Sequence, residues 1–138
     1  MTNKTVKLCY GTAELTIDDE GFGVIDKEAR FAFTNGQCHA LAVALHRLTG
    51  WPIKGASYDR YEDDSPTHCV VYWRERRVYV DVNGASRQVR IDGTRFYISH
   101  RYIDPHTAAN RLSYYIKPDL TTAALFARTI LRDLGIEV

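Results

Sequence analysis

Thr34-Asn35-Gly36-Gln37-Cys38-His39-Ala40-Leu41-Ala42-Val43-Ala44-Leu45-His46-Arg47-Leu48-Thr49-Gly50 reads as an amphipathic helix with a marked start and a marked end. Thr34, Asn35 and Gly36 are capping and turn residues, which suit the chain just before a helix because they offer the backbone alternative partners or extra freedom. Cys38, Leu41, Ala42, Leu45 and Leu48 recur at helical spacing and form one apolar stripe. Gly50, with Pro52 beyond it, stops the helix. Cys38 is thereby placed in the first turn, where unpaired N–H groups and the positive end of the helix dipole favour a thiolate. The same N–H groups can receive the oxyanion of an acyl intermediate, and Gln37 is a candidate side-chain donor to that hole.

A thiolate nucleophile needs a base, and imidazole is the side chain suited to that task near neutral pH. Downstream, His68-Cys69-Val70-Val71-Tyr72-Trp73 and Arg77-Val78-Tyr79-Val80-Asp81-Val82 flank Arg74-Glu75-Arg76, which predicts a β-hairpin ended by Asn83-Gly84. Side chains alternate along a strand, so His68, Val70 and Tyr72 share one face and Cys69, Val71 and Trp73 the other. A two-residue turn at Arg74-Glu75 sets His68 directly opposite Asp81, and a longer loop makes the pair diagonal; in both cases the two side chains share a face. An aspartate in the run Val-Tyr-Val-Asp-Val is a poor strand former in an apolar setting and calls for a partner such as that imidazole.

Asn35-Gly36-Gln37-Cys38-His39-Ala40-Leu41-Ala42 at a helix start, then Thr67-His68-Cys69-Val70-Val71-Tyr72, then Val80-Asp81-Val82, resembles the core of papain-like and transglutaminase-like thiol enzymes. In that superfamily the nucleophile opens a helix packed on an antiparallel sheet, and adjacent strands carry the histidine and its orienter, in the order Cys, His, Asp. Residue by residue, the resemblance implies Cys38 as nucleophile, His68 as general base and Asp81 as orienter, within residues 34 to 84. It implies a cysteine-protease-like hydrolase or acyltransferase that acts on an amide, isopeptide or thioester bond through an acyl-Cys38 intermediate. No cofactor is needed. A second reading keeps the fold as a non-catalytic protein-binding or inhibitor module, with Cys38 packed and His68–Asp81 a structural hydrogen bond.

Outward from this core, residues 5 to 10 and 12 to 17 alternate around Gly11 and predict two strands at one edge, which makes Cys9 a core residue of the first. Cys69, on the strand face opposite His68, is expected in the core as well. Residues 51 to 55 leave the helix in an extended path, and Tyr58 to Thr67 is a polar surface loop carrying Asp59, Glu62, Asp63 and Asp64, which reads either as solvated surface or as a flank of the cleft. Short strands are expected within 88 to 98 and 100 to 103, and a helical or irregular segment from Asp104-Pro105 to Tyr115. Asp119 after Pro118 caps a final helix to Gly135 with Leu120, Ala124, Phe126 or Ala127, Leu131 and Leu134 on one stripe. The class expected is α+β, with residues 1 to 138 as one domain: a nucleophile-bearing helix on a small antiparallel sheet, plus a C-terminal helix.

Eighteen basic against seventeen acidic residues leave a formal charge of +1, so no global field points to nucleic acid or to an anionic membrane. Arg74, Arg76 and Arg77 beside Trp73 and Tyr79 are accounted for by a solvated hairpin tip. Apolar runs are too short to span a bilayer, and Met1-Thr2-Asn3-Lys4 opens no signal peptide, so a cytosolic protein is expected. Three widely spaced cysteines fit neither a disulfide framework nor C-x-x-C metal ligation and read as free thiols. His39 points away from Cys38 around the helix and is expected at the surface or in support of the site. Neither His39 with His46 nor His100 with His106 has zinc-ligand spacing. The partner expected is a protein, a peptide or a small acyl substrate, with little room for an extended groove in a chain of this size.

Overall fold

A computed structural model describes residues 1–58, 67–110 and 116–137. It is a mixed α+β architecture. The elements run β1 (Thr2–Lys7), β2 (Thr12–Ile17), α1 (Lys27–Ala32), α2 (Cys38–Thr49), β3 (Ile53–Ser57), β4 (His68–Trp73) and β5 (Val78–Asp81). They continue with β6 (Gly84–Ser86), β7 (Arg90–Ile91), β8 (Thr94–Arg95), β9 (Tyr97–Ile103), α3 (Pro105–Asn110) and α4 (Leu120–Asp133). Five strands make one antiparallel sheet in the order β6-β5-β4-β3-β9. β1 with β2, and β7 with β8, form separate two-stranded ladders.

The long helix α2 starts at Cys38 and ends where the spacing places its stop: Gly50 takes φ 78°, a left-handed conformation glycine enters without Cβ strain, and donates to His46 O. Its residues from Cys38 to Leu45 are all buried. They pack with Val71 and Val80 of the sheet and with Phe126, Ile130 and Leu131 of α4 into the main core. Each such leucine or phenylalanine removed from water contributes roughly 2 kcal/mol. Helix α4 is capped by Asp119, whose Oδ1 accepts from Thr122 N at 3.0 Å. Its buried stripe centres on Ala123, Phe126, Ala127, Ile130 and Leu131, with the expected Leu120, Ala124 and Leu134 half-buried at its margins.

The opposite face of the sheet carries a second, smaller cluster. There Ala56 and Val70 meet Val89 and Phe96 from the chain around β7 and β8. The first strand corrects the sequence reading: β1 ends at Lys7, and Leu8 N donates to Gly11 O at 3.0 Å as the chain turns. Cys9 is therefore outside the strand and exposed, its backbone N donating to Asn35 O at 3.0 Å. Alternation alone placed it in the core; the turn ahead of Gly11 takes it out. The acidic stretch Asp59 to Asp64 lies outside the described residues, as do residues 111–115 of the segment after Asp104. Among the described residues, no helix is long and apolar enough to cross a membrane.

Candidate active site

The hairpin register settles the geometry of the histidine and the aspartate. Val71 pairs with Val80 and Tyr72 with Tyr79, joined by a four-residue turn in which Arg77 takes φ 54°. This is the longer-loop register, so His68 and Asp81 are diagonal on one face, and His68 Nε2 lies 2.9 Å from Asp81 Oδ2. Both are buried, at 1% and 8% exposure. Asp81 Oδ1 accepts from Asn83 N at 2.9 Å, so the carboxylate is itself held in place. Asp81 can only accept, so His68 Nε2 carries a proton and Nδ1 is the nitrogen left for chemistry. The ring is steadied edge-on against Phe96, centroids 6.2 Å apart.

Two buried side-chain nitrogens have no hydrogen-bond partner among the described residues: His68 Nδ1 and His39 Nε2. Orphaned buried polar atoms are uncommon and call for a reason. Both imidazoles help to lower the Cys38 thiol, and His39 lines the same cleft as Cys38. Cys38 is held well below the ordinary thiol range, first by hydrogen bonding with Cys69, against the opposing effect of burial, and then by His39 and His68. His68 is pushed up to about 9: burial opposes the charged ring, and the hydrogen bond to Asp81, followed by the negative charge at Cys38, outweighs it. Cys69 moves the other way, pushed up by Cys38 and by burial, so it keeps its proton. The directions favour the charged forms of Cys38 and His68 and the neutral form of Cys69.

Cys69 and His68 are neighbours on a strand and point to opposite faces, yet both act on the Cys38 sulfur. Helix α2 packs against β4, and Cys38 and Cys69, near the start of each, line the same cleft. The first intrahelical bond of α2 is Leu41 N to Gln37 O, so the N–H groups of Cys38, His39 and Ala40 precede it and point out of the helix end. Those are the oxyanion donors available.

Gln37 is not among them. Its Nε2 donates to Lys7 O at 2.8 Å and to Lys117 O at 3.3 Å, while Oε1 accepts from Asp119 N at 3.1 Å. Both amide protons are committed, because a buried carboxamide must satisfy all its polar atoms and three backbone groups stand nearest. Its role is to tie the end of β1 and the cap of α4 beneath the start of α2. Gly36, one residue earlier, is required by space: a Cβ there would stand 2.9 Å from Cys9 N and 2.9 Å from Ile116 Cδ1, and φ is 145°.

Cys38 is 9% exposed and opens onto a cleft of about 410 Å³ whose wall includes His39, Cys69, Cys9, Tyr58, Thr67 and Phe96. The rings of Tyr58 and Phe96 pack 4.4 Å apart and make its aromatic side. A second cleft of about 500 Å³ along α1 shares Thr34, Asn35, Ile91 and Asp92 with the first. Those shared residues stand between the two clefts. Tyr58 and Thr67, which bracket the acidic stretch, both line the Cys38 cleft.

Of the residues singled out in the sequence, His68 and Asp81 are hydrogen-bonded and Cys38 opens α2 on the cleft, while three neighbours were missed. His39, expected near the surface, is 4% exposed and faces the cleft, because α2 is buried all round its first two turns. Cys69 was expected in the core and is buried, yet it also borders the site; strand alternation loses its force at a strand's first residues. Cys9 reaches the cleft through the turn after β1. The one signal for all three was a cysteine or histidine next to, or converging on, a site residue. No group of three or more His, Cys, Asp or Glu among the described residues is placed to hold a metal ion. Compared with known protein families, curated proteins and solved structures, this chain matches none.

Proposed function

We propose that the protein is a cysteine-dependent hydrolase or acyltransferase that acts on an amide, isopeptide or thioester carbonyl, with a papain-like or transglutaminase-like core. The observation that carries this reading is the pair of orphaned imidazole nitrogens beside one cleft-lining cysteine at a helix start, one of them on a ring fixed by a buried carboxylate. A packed structural cysteine would not require either nitrogen to go without a partner. In the proposed cycle the Cys38 thiolate attacks the carbonyl carbon, and the N–H groups opening α2 hold the oxyanion. His68 Nδ1 then gives its proton to the leaving amine or thiol. A water or an acceptor amine next surrenders a proton to Nδ1 and attacks the acyl-Cys38, which releases the thiolate. Asp81 keeps Nε2 protonated throughout and favours the imidazolium.

The test is intact-mass spectrometry after exposure to simple acyl thioesters and to glutamine-containing and isopeptide-linked peptides. The expected result is a mass gain equal to the acyl group, mapped to Cys38, absent in Cys38→Ala and decaying as free acid or transferred product appears. If the same adduct forms equally in Cys38→Ala, the reading is wrong.

A further inference from the structure

All three cysteines of the chain, far apart in sequence, line one cleft, and two of them, Cys38 and Cys69, are buried in one packed cluster where α2 meets β4. Cys69 belongs to the same packed cluster as Cys38, lies at the start of a strand against which the helix rests, and has no part in the acyl chemistry beyond a hydrogen bond. From this placement we infer that Cys38 and Cys69 form a reversible disulfide when the protein meets a hydroperoxide, with Cys69 as the resolving thiol. The inference rests on the proposed nucleophilic role of Cys38.

The steps balance. The Cys38 thiolate attacks one peroxide oxygen, an S–O bond forms and the O–O bond breaks; sulfur is oxidised to the sulfenic acid and the peroxide is reduced to an alcohol or water, which takes its proton from the His68 imidazolium. Cys69 then attacks the Cys38 sulfur, the S–S bond forms, the S–O bond breaks, and hydroxide leaves as water with the Cys69 proton. Two thiols and one hydroperoxide give one disulfide, one alcohol and one water. Cys69, kept protonated by burial and by the adjacent negative sulfur, is a poor nucleophile until that sulfur is oxidised. The product removes the nucleophile from service and shields it from sulfinic acid, and a dithiol reductant restores it.

The folded protein is treated with hydrogen peroxide, blocked with iodoacetamide and mapped without reduction. The expected outcome is a Cys38–Cys69 linked peptide in the wild type, lost on dithiothreitol treatment, and in Cys69→Ala and Cys69→Ser a Cys38 that accumulates as sulfenic or sulfinic acid instead. Linkage of Cys38 to the exposed Cys9, or a persistent dimedone-trapped sulfenic acid at Cys38 in the wild type, would overturn the inference while leaving a reactive Cys38 intact. A Cys38 inert to both peroxide and iodoacetamide would overturn the nucleophile reading with it.

Discussion

Replacing Asp81 with alanine lowers the free energy of unfolding by about 3–5 kcal/mol at neutral pH, the cost of leaving a buried charge without its partner. The size follows from burial and geometry: His68 and Asp81 are 1% and 8% exposed and 2.9 Å apart, so water cannot replace the lost carboxylate. The second oxygen matters too, since Asn83 N donates to Oδ1 at 2.9 Å and loses its acceptor in the alanine variant. Asp81→Asn retains an oxygen for Asn83 but not the charge, so its loss is smaller, about 1–3 kcal/mol. Urea melts of the three proteins check the order. Equal stability of wild type and Asp81→Ala would mean that the pair contributes nothing to the fold.

The second large effect is a pH window. His68 is raised from its ordinary value to about 9, so the stabilisation it brings is complete below about 6.5 and is lost as pH rises through 9. Cys38 is displaced downward, so its contribution runs the other way: present at high pH and lost as pH falls through its depressed value. As pH rises from about 6.5 to about 9 the two contributions oppose each other and the pair's net effect is nearly level; His68 alone would lose at most on the order of 3 kcal/mol. Urea midpoints at pH 6.5, 8 and 9.5 are therefore expected to stay nearly level in the wild type and to fall steadily in Cys38→Ala, where the His68 contribution is left unopposed. Parallel falls in both proteins would assign the loss to other groups.

The parts of this molecule legible from sequence are those written into local periodicity. Helix α2 announces itself by the stripe from Cys38 to Leu48 and by Gly50, α4 by Asp119 and its own stripe, and the β4–β5 hairpin by two apolar runs around charged residues. The His68–Asp81 pair followed from the hairpin because parity along a strand fixes which residues share a face whatever the turn length. What stayed hidden depends on contacts between distant segments. The pairing of β3 with β9 joins residues more than forty positions apart, as in Ile53 with Ile103, and neither run shows which partner it will take. Gln37 looked like an oxyanion donor by adjacency; Lys7, Lys117 and Asp119, remote in the chain, claim its amide. Cys9 left the core through one turn, and Cys69 joined the site because the helix start meets the strand start.

The central claim is that Cys38 is a thiolate at neutral pH because His68 is an imidazolium beside it. Iodoacetamide labelling of the folded protein from pH 5 to 9, with mass spectrometry to assign each cysteine, tests it in wild type and His68→Ala. The account predicts that Cys38 is modified rapidly at pH 6 in the wild type, about a hundredfold more slowly without His68, as an ordinary thiol at that pH would be, and that Cys69 stays unmodified in both. A Cys38 that resists labelling across the whole range while the protein is folded, or that reacts at the same rate with and without His68, would contradict it.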